Sequence, residues 1–400
     1  MGLKQVQEPV KKHMRIGIDA RTILSPEKGD AIGAGHYTYQ LIRHLLKIDQ
    51  KNEYVLFFDF RVREKDIKKF TKPNVKIKFY PFSDYKKYLP GMYNEILGTA
   101  TLQKENLDVL HTTSYSSRIP TGYQGKTIVT FQDMIMYHAP QYLPQVKRLR
   151  ERTVAKLMAK KADKIIASSN SLKDELNRYL GVPEEKVEVI YSGVDKRFFD
   201  VPELDAKKML EKYGINKKYI LFLGTLEPSK NITRLLQAFA KLKEEYKNSG
   251  AKKFEYQLVL AGKKGWLAEE YQQIIKDLGL SKDVVFTGYI IGDELVPLFK
   301  NCEFFIMPSL YEGFGMTVLE AFATKTPSII SNVATLSEIA DGGAMSVNPL
   351  SVEEITGSMK TFLEDEDLRN TYREKGLAIA QKFDWDETAK KTLEIYESLK

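Results

Sequence analysis

Short runs rich in β-branched and aromatic residues alternate with stretches of helical period, and they do so twice along the 400 residues. Strand, helix, strand in that order means parallel strands joined by crossover helices, so each pass specifies a parallel sheet wrapped by helices. In the first pass the strand-like runs are 14–19, 54–58, 75–79, 109–111, 127–131, 164–167 and 187–190. Gly33 and Gly35 break the segment after the first run, and a helix over 37–48 follows with Leu41, Ile42, Leu45 and Leu46 on one face. Ser169 or Ser171 caps a helix over 172–180. The second pass has strand-like runs at 219–223, 257–260, 284–286, 304–307, 328–330 and near 346–347. Its helices are expected at 233–245, 352–363 and 367–382, with a last amphipathic helix over 385–399. Between the passes, Ser192–Asp195 reads as a turn, and 198–203 carries a proline and no clear period, which marks a boundary.

Two domains of roughly 200 residues fit this length better than one core. The expected division is a loose leader over 1–13, one domain over 14–197, a second over 198–382, and a terminal helical segment over 383–400. Apolar residues at 43% and charged residues at 28% exclude a disordered or collagen-like chain. Cys302 is the only cysteine, which excludes a disulfide framework and a cysteine zinc site and reads as core. No apolar run approaches the ~18 residues needed to span a bilayer, and the N-terminus lacks a signal core. Val6 breaks the Met-Gly myristoylation pattern. The expected location is the cytoplasm.

The net charge of +8 is unevenly placed. Residues 1–195 carry 33 Lys+Arg against 22 Asp+Glu, and residues 196–400 carry 28 against 31. The basic half either meets an anionic partner, such as lipid head groups, a polyprenyl diphosphate or nucleic acid, or is a solvated basic surface. No stacking motif or recognition helix supports nucleic acid.

The segment Met307–Ala323 carries the most chemistry. A buried strand ends, a loop containing Gly313 and Gly315 follows, and a helix begins near Met316. A helix start presents unpaired N–H groups and a positive dipole end, which together accept a phosphate. The glycines allow close approach of the backbone to a ligand. Glu312 and Glu320 bracket the loop, and a diphosphate held by the amides would lie between them, with Glu320 reaching ribose hydroxyls. The competing reading is a helix whose first turns are acidic because the dipole favours it. A second loop, Gly224 to Asn231, also joins a strand to a helix, and Lys230 within it can neutralise a diphosphate unless it is an ordinary surface lysine. A third, 32–37, holds Gly33, Gly35, His36 and Tyr37 before a helix; this loop faces a cleft or is simply a tight turn.

These stretches, in this order, resemble the retaining glycosyltransferases of family 4. Glu312 to Glu320 is similar to that family's pair of glutamates with seven residues between them. Ile18-Asp-Ala-Arg21 with Gly33 to Tyr37 resembles its opening strand and glycine loop. Asp108 to His111, Thr130 to Met134, Ala162 to Ser171 and Val187 to Asp195 are similar to its N-terminal domain. Gly224 to Asn231 resembles its donor-phosphate loop, and Phe383-Asp-Trp385 the point where the chain crosses back. The resemblance implies an α/β protein of GT-B fold, with two Rossmann-like domains facing each other across a cleft and a C-terminal helix packing on the N-terminal domain. It implies that Lys230 contacts the donor diphosphate, that Gly224 shapes that loop, and that Glu312 with the backbone of Gly313, Phe314, Gly315, Met316 and Thr317 holds the donor. Glu320 would bind the ribose. On the acceptor side stand Gly33, Gly35, His36, Tyr37, His111, Gln132 and Asp133.

The implied activity is metal-independent transfer of a hexose, with retained anomeric configuration, from a nucleotide diphosphate sugar to a hydroxyl of a glycan or lipid-linked acceptor. GDP-mannose is the first donor expected and a UDP-sugar the second, with no separate cofactor. A surface-glycan acceptor is expected, and a peripheral approach to an anionic membrane is motivated by the aromatic and basic run 79–88 and by a basic helix over 147–164. The chain departs from the family at Gln132, where His is common, and at Ser229, where Arg is common. Gln132 cannot titrate, which excludes a proton relay there. His111 and His138 are either substitutes or structural histidines. A nucleotide-sugar epimerase and a non-catalytic nucleotide-sugar-binding relative are the alternatives.

Overall fold

The computed structural model describes residues 13–24, 33–59, 61–62, 64–80, 94–138, 145–200, 206–250, 254–263, 268–290 and 292–400. The leader up to residue 12, residues 81–88 of the aromatic and basic run, and residues 201–203 of the expected linker lie outside them. The first sheet contains β1 (Arg15–Asp19), β2 (Glu53–Asp59), β3 (Val75–Tyr80), β4 (Val109–Thr112), β5 (Lys126–Phe131), β6 (Lys164–Ala167) and β7 (Val187–Val189). Its helices are α1 (Gly33–Ile48), α2 (Glu64–Ile67), α3 (Thr99–Gln103), α4 (Ile135–His138), α5 (Gln145–Lys161) and α6 (Asn170–Leu180). The second sheet contains β8 (Lys218–Leu223), β9 (Tyr256–Ala261), β10 (Val284–Gly288), β11 (Phe304–Met307), β12 (Ser328–Ser331) and β13 (Met345–Val347). With it go α7 (Ala206–Lys212), α8 (Ile232–Asn248), α9 (Ala268–Asp277), α10 (Leu295–Lys300), α11 (Met316–Ala323), α12 (Ala334–Ala340), α13 (Val352–Glu364) and α14 (Glu366–Ala380), and α15 (Trp385–Ser398) follows.

The strand orders are β3-β2-β1-β4-β5-β6-β7 and β10-β9-β8-β11-β12-β13. Both sheets are therefore Rossmann-like: the chain starts in the middle, builds outward to one side, then returns to build the other. Pairing of β1 with β2 and β4, and of β8 with β9 and β11, is parallel. The strand order reverses between β1 and β4 and again between β8 and β11, and the loops leaving those strands diverge there, which is where ligands bind in open α/β sheets.

Burial on both faces explains the near-continuous apolar strands. In β8, Leu221 and Leu223 join one core layer while Ile220 and Phe222 join the other. In β11, Phe305 and Met307 go one way and Phe304 and Ile306 the other. Cys302 is buried beside them, with its thiol donating to the Phe299 carbonyl at 3.1 Å, as the core reading expected.

Of the helix boundaries that differ from the sequence reading, two have a local cause in side-chain hydrogen bonds. α1 begins at Gly33, so Gly33 and Gly35 lie in its first turn rather than in a loop before it. The side chain of Thr38 offsets the poor helix propensity of these glycines: it donates to the Ala34 carbonyl at 2.7 Å and meets Thr113 Oγ1 at 2.7 Å. The basic helix stops at Lys161 rather than running to Lys164, because Asp163 turns to accept the Thr127 amide at 2.8 Å and sends the chain into β6. Ser169 is the N-cap of α6, accepting from the Leu172 amide at 3.1 Å.

The chain forms two compact units. One is residues 1–130, 157–165 and 389–400, and the other is 131–156 and 166–388. The C-terminal helix thus returns to the unit holding α1 and β4. There Tyr396 is buried and its hydroxyl meets His111 Nδ1 at 2.7 Å, while His111 Nε2 meets Thr130 Oγ1 at 2.7 Å. Burial pushes the His111 pKa down to about 3, so the ring is a neutral core imidazole.

Replacing Tyr396 by Phe should leave one buried ring nitrogen of His111 without its partner. The expected cost is about 1–3 kcal/mol of unfolding free energy. Urea denaturation at pH 7 measures it, and an unchanged midpoint would show that this bond does not hold the helix.

Candidate active site

β11 ends at Met307 and the chain turns through 308–315 into α11. Gly315 is the N-cap, at φ +101°, a conformation that side-chain-bearing residues avoid. No side chain caps this helix, and the amides of Gly313, Phe314, Gly315, Met316 and Thr317 find no acceptor among the described residues. Successive free donors at a helix start, with the dipole behind them, constitute an anion site. Phe314 is buried against Tyr191 and Phe383, which fixes the turn from its apolar side.

Lys230 reaches this segment from the loop after β8. Its Nζ lies 2.7 Å from Glu312 Oε1, and the same oxygen accepts from Ser309 Oγ at 2.7 Å. Burial works against the ammonium charge, but Glu312, Glu227 and Asp133 outweigh it and raise the Lys230 pKa. The lysine is therefore held protonated. Its loop is fixed by backbone: the Leu310 amide donates to the Ser229 carbonyl at 2.7 Å, and Asn231 Nδ2 donates to the carbonyls of Pro308 at 3.0 Å and Pro349 at 2.6 Å. Ser229, where an arginine was expected by resemblance, turns inward to Glu227 at 2.9 Å. Gly224 is fixed by its amide on the Ala261 carbonyl at 2.9 Å, and a Cβ on Gly262 would overlap its carbonyl oxygen.

The segment after β5 belongs to the same unit. A Cβ on Gly313 would overlap the carbonyl oxygen of Gln132 and crowd Asp133, so backbone lies directly on backbone at that point. Ser168 Oγ sits between the two carbonyls, 3.1 Å from Gly313 O and 3.4 Å from Gln132 O. The Met134 amide donates to Tyr311 Oη at 2.6 Å. Burial raises the Asp133 pKa, with Glu227 and Glu175 adding to the effect and Lys230 and the Ile135 amide opposing it. Gln132 and Asp133 are thus brought beside Gly313 and Lys230. Gly33, Gly35, His36, Tyr37 and His111 lie in the other unit. His36 and Tyr37 are buried in α1, and burial pushes the Tyr37 pKa up to about 12 with Thr130 opposing.

Glu320 lies in the second turn of α11 and is buried. Desolvation raises its pKa to about 7; Arg197 pulls it down and Asp195 pushes it up. The sequence reading passed over Tyr311, Glu175 and Ser168, all of which hold this site. Tyr311 stands directly before the glutamate motif, yet nothing in residue type alone distinguishes it from a core aromatic. Among the described residues no group of three or more His, Cys, Asp and Glu could hold a metal ion, and no helix is long and apolar enough to cross a membrane.

Residues 205–378 match the family model described as glycosyl transferases group 1, and residues 32–198 match that of glycosyltransferase family 4. The O-antigen chain mannosyltransferase B of Escherichia coli is 27% identical over 68% of this chain and 71% of its own length. The serotype-specific mannosyltransferase WbdA of the same organism is 31% identical over 72% of this chain, but the match spans only 36% of WbdA. Among solved structures, a sucrose-phosphate synthase from Thermosynechococcus elongatus superposes with a TM-score of 0.76 at 19% identity, covering 97% of this chain and 99% of that one. Anabaena HepE in complex with UDP-glucose superposes with a TM-score of 0.73 at 18% identity, covering 96% and 100%. At these identities the structural likeness concerns the fold alone.

The raised Glu320 pKa has a definite consequence for stability. Between its ordinary value of 4.5 and about 7, the folded chain keeps a proton that the unfolded chain releases. The wild type therefore loses stability from this group as pH rises through that window, at up to about 1.4 kcal/mol per unit. Glu320→Gln should remove the loss, so its stability relative to wild type should grow from pH 4.5 to about 7. Parallel denaturation curves across that range for the two proteins would refute the burial argument.

Proposed function

Because the chain belongs to the family 4 glycosyltransferases, a family of retaining hexosyltransferases within the glycosyl transferases group 1, we propose that it moves mannose from a nucleotide diphosphate sugar to a hydroxyl of a surface-glycan or lipid-linked acceptor. The observation that carries the donor assignment is the run of amides from Gly313 to Thr317 without acceptors among the described residues, at the strand-order reversal that also bears the Lys230–Glu312 pair. A diphosphate supplies acceptors to those amides. Lys230 meets the charge that develops as the sugar leaves, and Glu312 orients the donor. Glu320, on the same helix, accepts from the ribose hydroxyls. The leaving diphosphate takes the proton of the incoming hydroxyl on the same face of the sugar, which retains the configuration without a covalent intermediate.

Mannose is favoured over other hexoses because the O-antigen chain mannosyltransferases of Escherichia coli and Salmonella typhimurium are among the relatives. UDP-sugars are the second choice, since HepE was solved with UDP-glucose. Thermal shift with GDP, UDP and ADP should show stabilisation by one base above the others, and turnover should follow with the matching sugar. Product analysis separates transfer from epimerisation of the donor. Glu312→Ala and Lys230→Ala should each lower kcat by roughly 10²- to 10³-fold, or about 2.7–4 kcal/mol of transition-state stabilisation. Full transfer by Glu312→Ala would overturn its role.

The acceptor side of the proposal includes a peripheral membrane contact. α5 exposes Val146 at 82%, Leu149 at 69% and Leu157 at 39%, and these share a helical face with neighbours Lys147, Arg150, Lys156 and Lys160. Apolar side chains ringed by ammonium and guanidinium groups match an anionic lipid surface. Sedimentation with phosphatidylglycerol-containing vesicles should exceed that with phosphatidylcholine alone, and Leu149→Glu should abolish the difference. Equal sedimentation with both vesicles would remove the membrane from the proposal.

A further inference from the structure

Three elements of one unit meet at the ring of Tyr311. Its hydroxyl accepts the Met134 amide at 2.6 Å and donates to Glu175 Oε2 at 3.0 Å. The other oxygen of Glu175 lies 2.9 Å from His138 Nε2. His138 closes the circuit by stacking on the Tyr311 ring, with centroids 4.6 Å apart and planes 18° from parallel. Burial, with Asp133 and Glu175 adding to it, raises the phenol pKa well above its ordinary value, so the hydroxyl keeps its proton and serves as donor and acceptor at once. Both oxygens of Glu175 are engaged as well, one by the phenol and one by the imidazole.

The circuit is braced from outside. Glu175 sits on α6, and the start of α6 is held by Glu338 of α12, which accepts the Asn170 amide at 2.7 Å and the Ser171 amide at 2.9 Å. His138 ends α4, whose helix start follows Gln132 and Asp133. Tyr311 immediately precedes Glu312, so a shift of the backbone at residue 311 carries the Glu312 carboxylate and its ion pair to Lys230 with it. Ser168 and the Gly313 backbone contact limit the same loop just beyond Glu312.

We propose that Tyr311, held by Glu175 and His138, is a positioning residue for the transfer reaction: it sets the Glu312–Lys230 pair in register with the Gln132–Asp133 segment. The inference rests on the donor assignment made above. It differs from a packing role in what it predicts, because the amides that hold the diphosphate come from residues 313–317 and do not depend on the phenol hydroxyl. Loss of the hydroxyl should therefore leave nucleotide binding intact while misplacing the groups that act on the departing diphosphate. A misplacement on the scale of about 1 Å costs roughly a hundredfold in rate.

Tyr311→Phe keeps the ring stacked on His138 and removes only the hydroxyl. Its nucleoside diphosphate Kd and donor KM should stay within about twofold of wild type, and kcat should fall roughly ten- to a hundredfold. Glu175→Gln keeps an acceptor and should lose less than Glu175→Ala. The double variant Tyr311→Phe/Glu175→Ala should be no slower than the worse single one, since both break the same circuit. Unchanged kcat in Tyr311→Phe, or Kd and kcat lost together, overturns the inference while leaving the donor assignment standing. Should Tyr311→Phe not fold, Glu175→Ala decides by the same measure of kcat against Kd. Failure of the wild type to bind any nucleoside diphosphate overturns both readings.

Discussion

Gly313 has no room for a side chain, because the carbonyl oxygen of Gln132 occupies the space a Cβ would take. Much of the site follows from that contact. It sets the chain after β5 directly against the loop after β11. It leaves Ser168 to bridge the two carbonyls and places the Met134 amide on the Tyr311 hydroxyl. Only backbone meeting backbone gives so short a separation, and the amides that follow Gly313 are left without an acceptor among the described residues. The same packing that fixes the loop leaves the donors of the helix start unpaired among the described residues.

Charge balance in this region works by partial compensation. Lys230 carries one positive charge among Glu312, Glu227 and Asp133, so the site is held together by a buried ion pair whose members would both be costly alone. Asp133 and Glu320 respond to burial in the other direction and hold their protons more tightly than free carboxylates do. Under the proposed function, a diphosphate would change this balance by supplying negative charge to the lysine and acceptors to the amides.

Both sheets repeat one order of strands, yet different groups stand where that order reverses. Just beyond β1 and β4, hydroxyls bond to one another, Thr38 with Thr22 and Thr113. Just beyond β8 and β11 stand a lysine, a glutamate and amides that have no acceptor among the described residues. The same topology therefore carries internally bonded hydroxyls at one reversal and, at the other, amides without an acceptor among the described residues.

The two parallel sheets were legible in the sequence, since a strand buried on both faces must be apolar along its whole length and a crossover helix must be amphipathic; the strand boundaries agree to within about two residues. So were the loops after β8 and β11, because glycines and charged residues there interrupt the apolar strand pattern. Residue pattern misjudged the start of α1, where Thr38 fastens a glycine-rich turn that propensity disfavours, and the end of the basic helix, where Asp163 finds the Thr127 amide. That His111 is a neutral core ring, and that Tyr311, Glu175 and His138 close a circuit, emerged from the folded arrangement alone. The reason is separation along the chain: Tyr311 and Met134 are 177 residues apart, and His111 and Tyr396 are 285 apart, so no local pattern records their meeting.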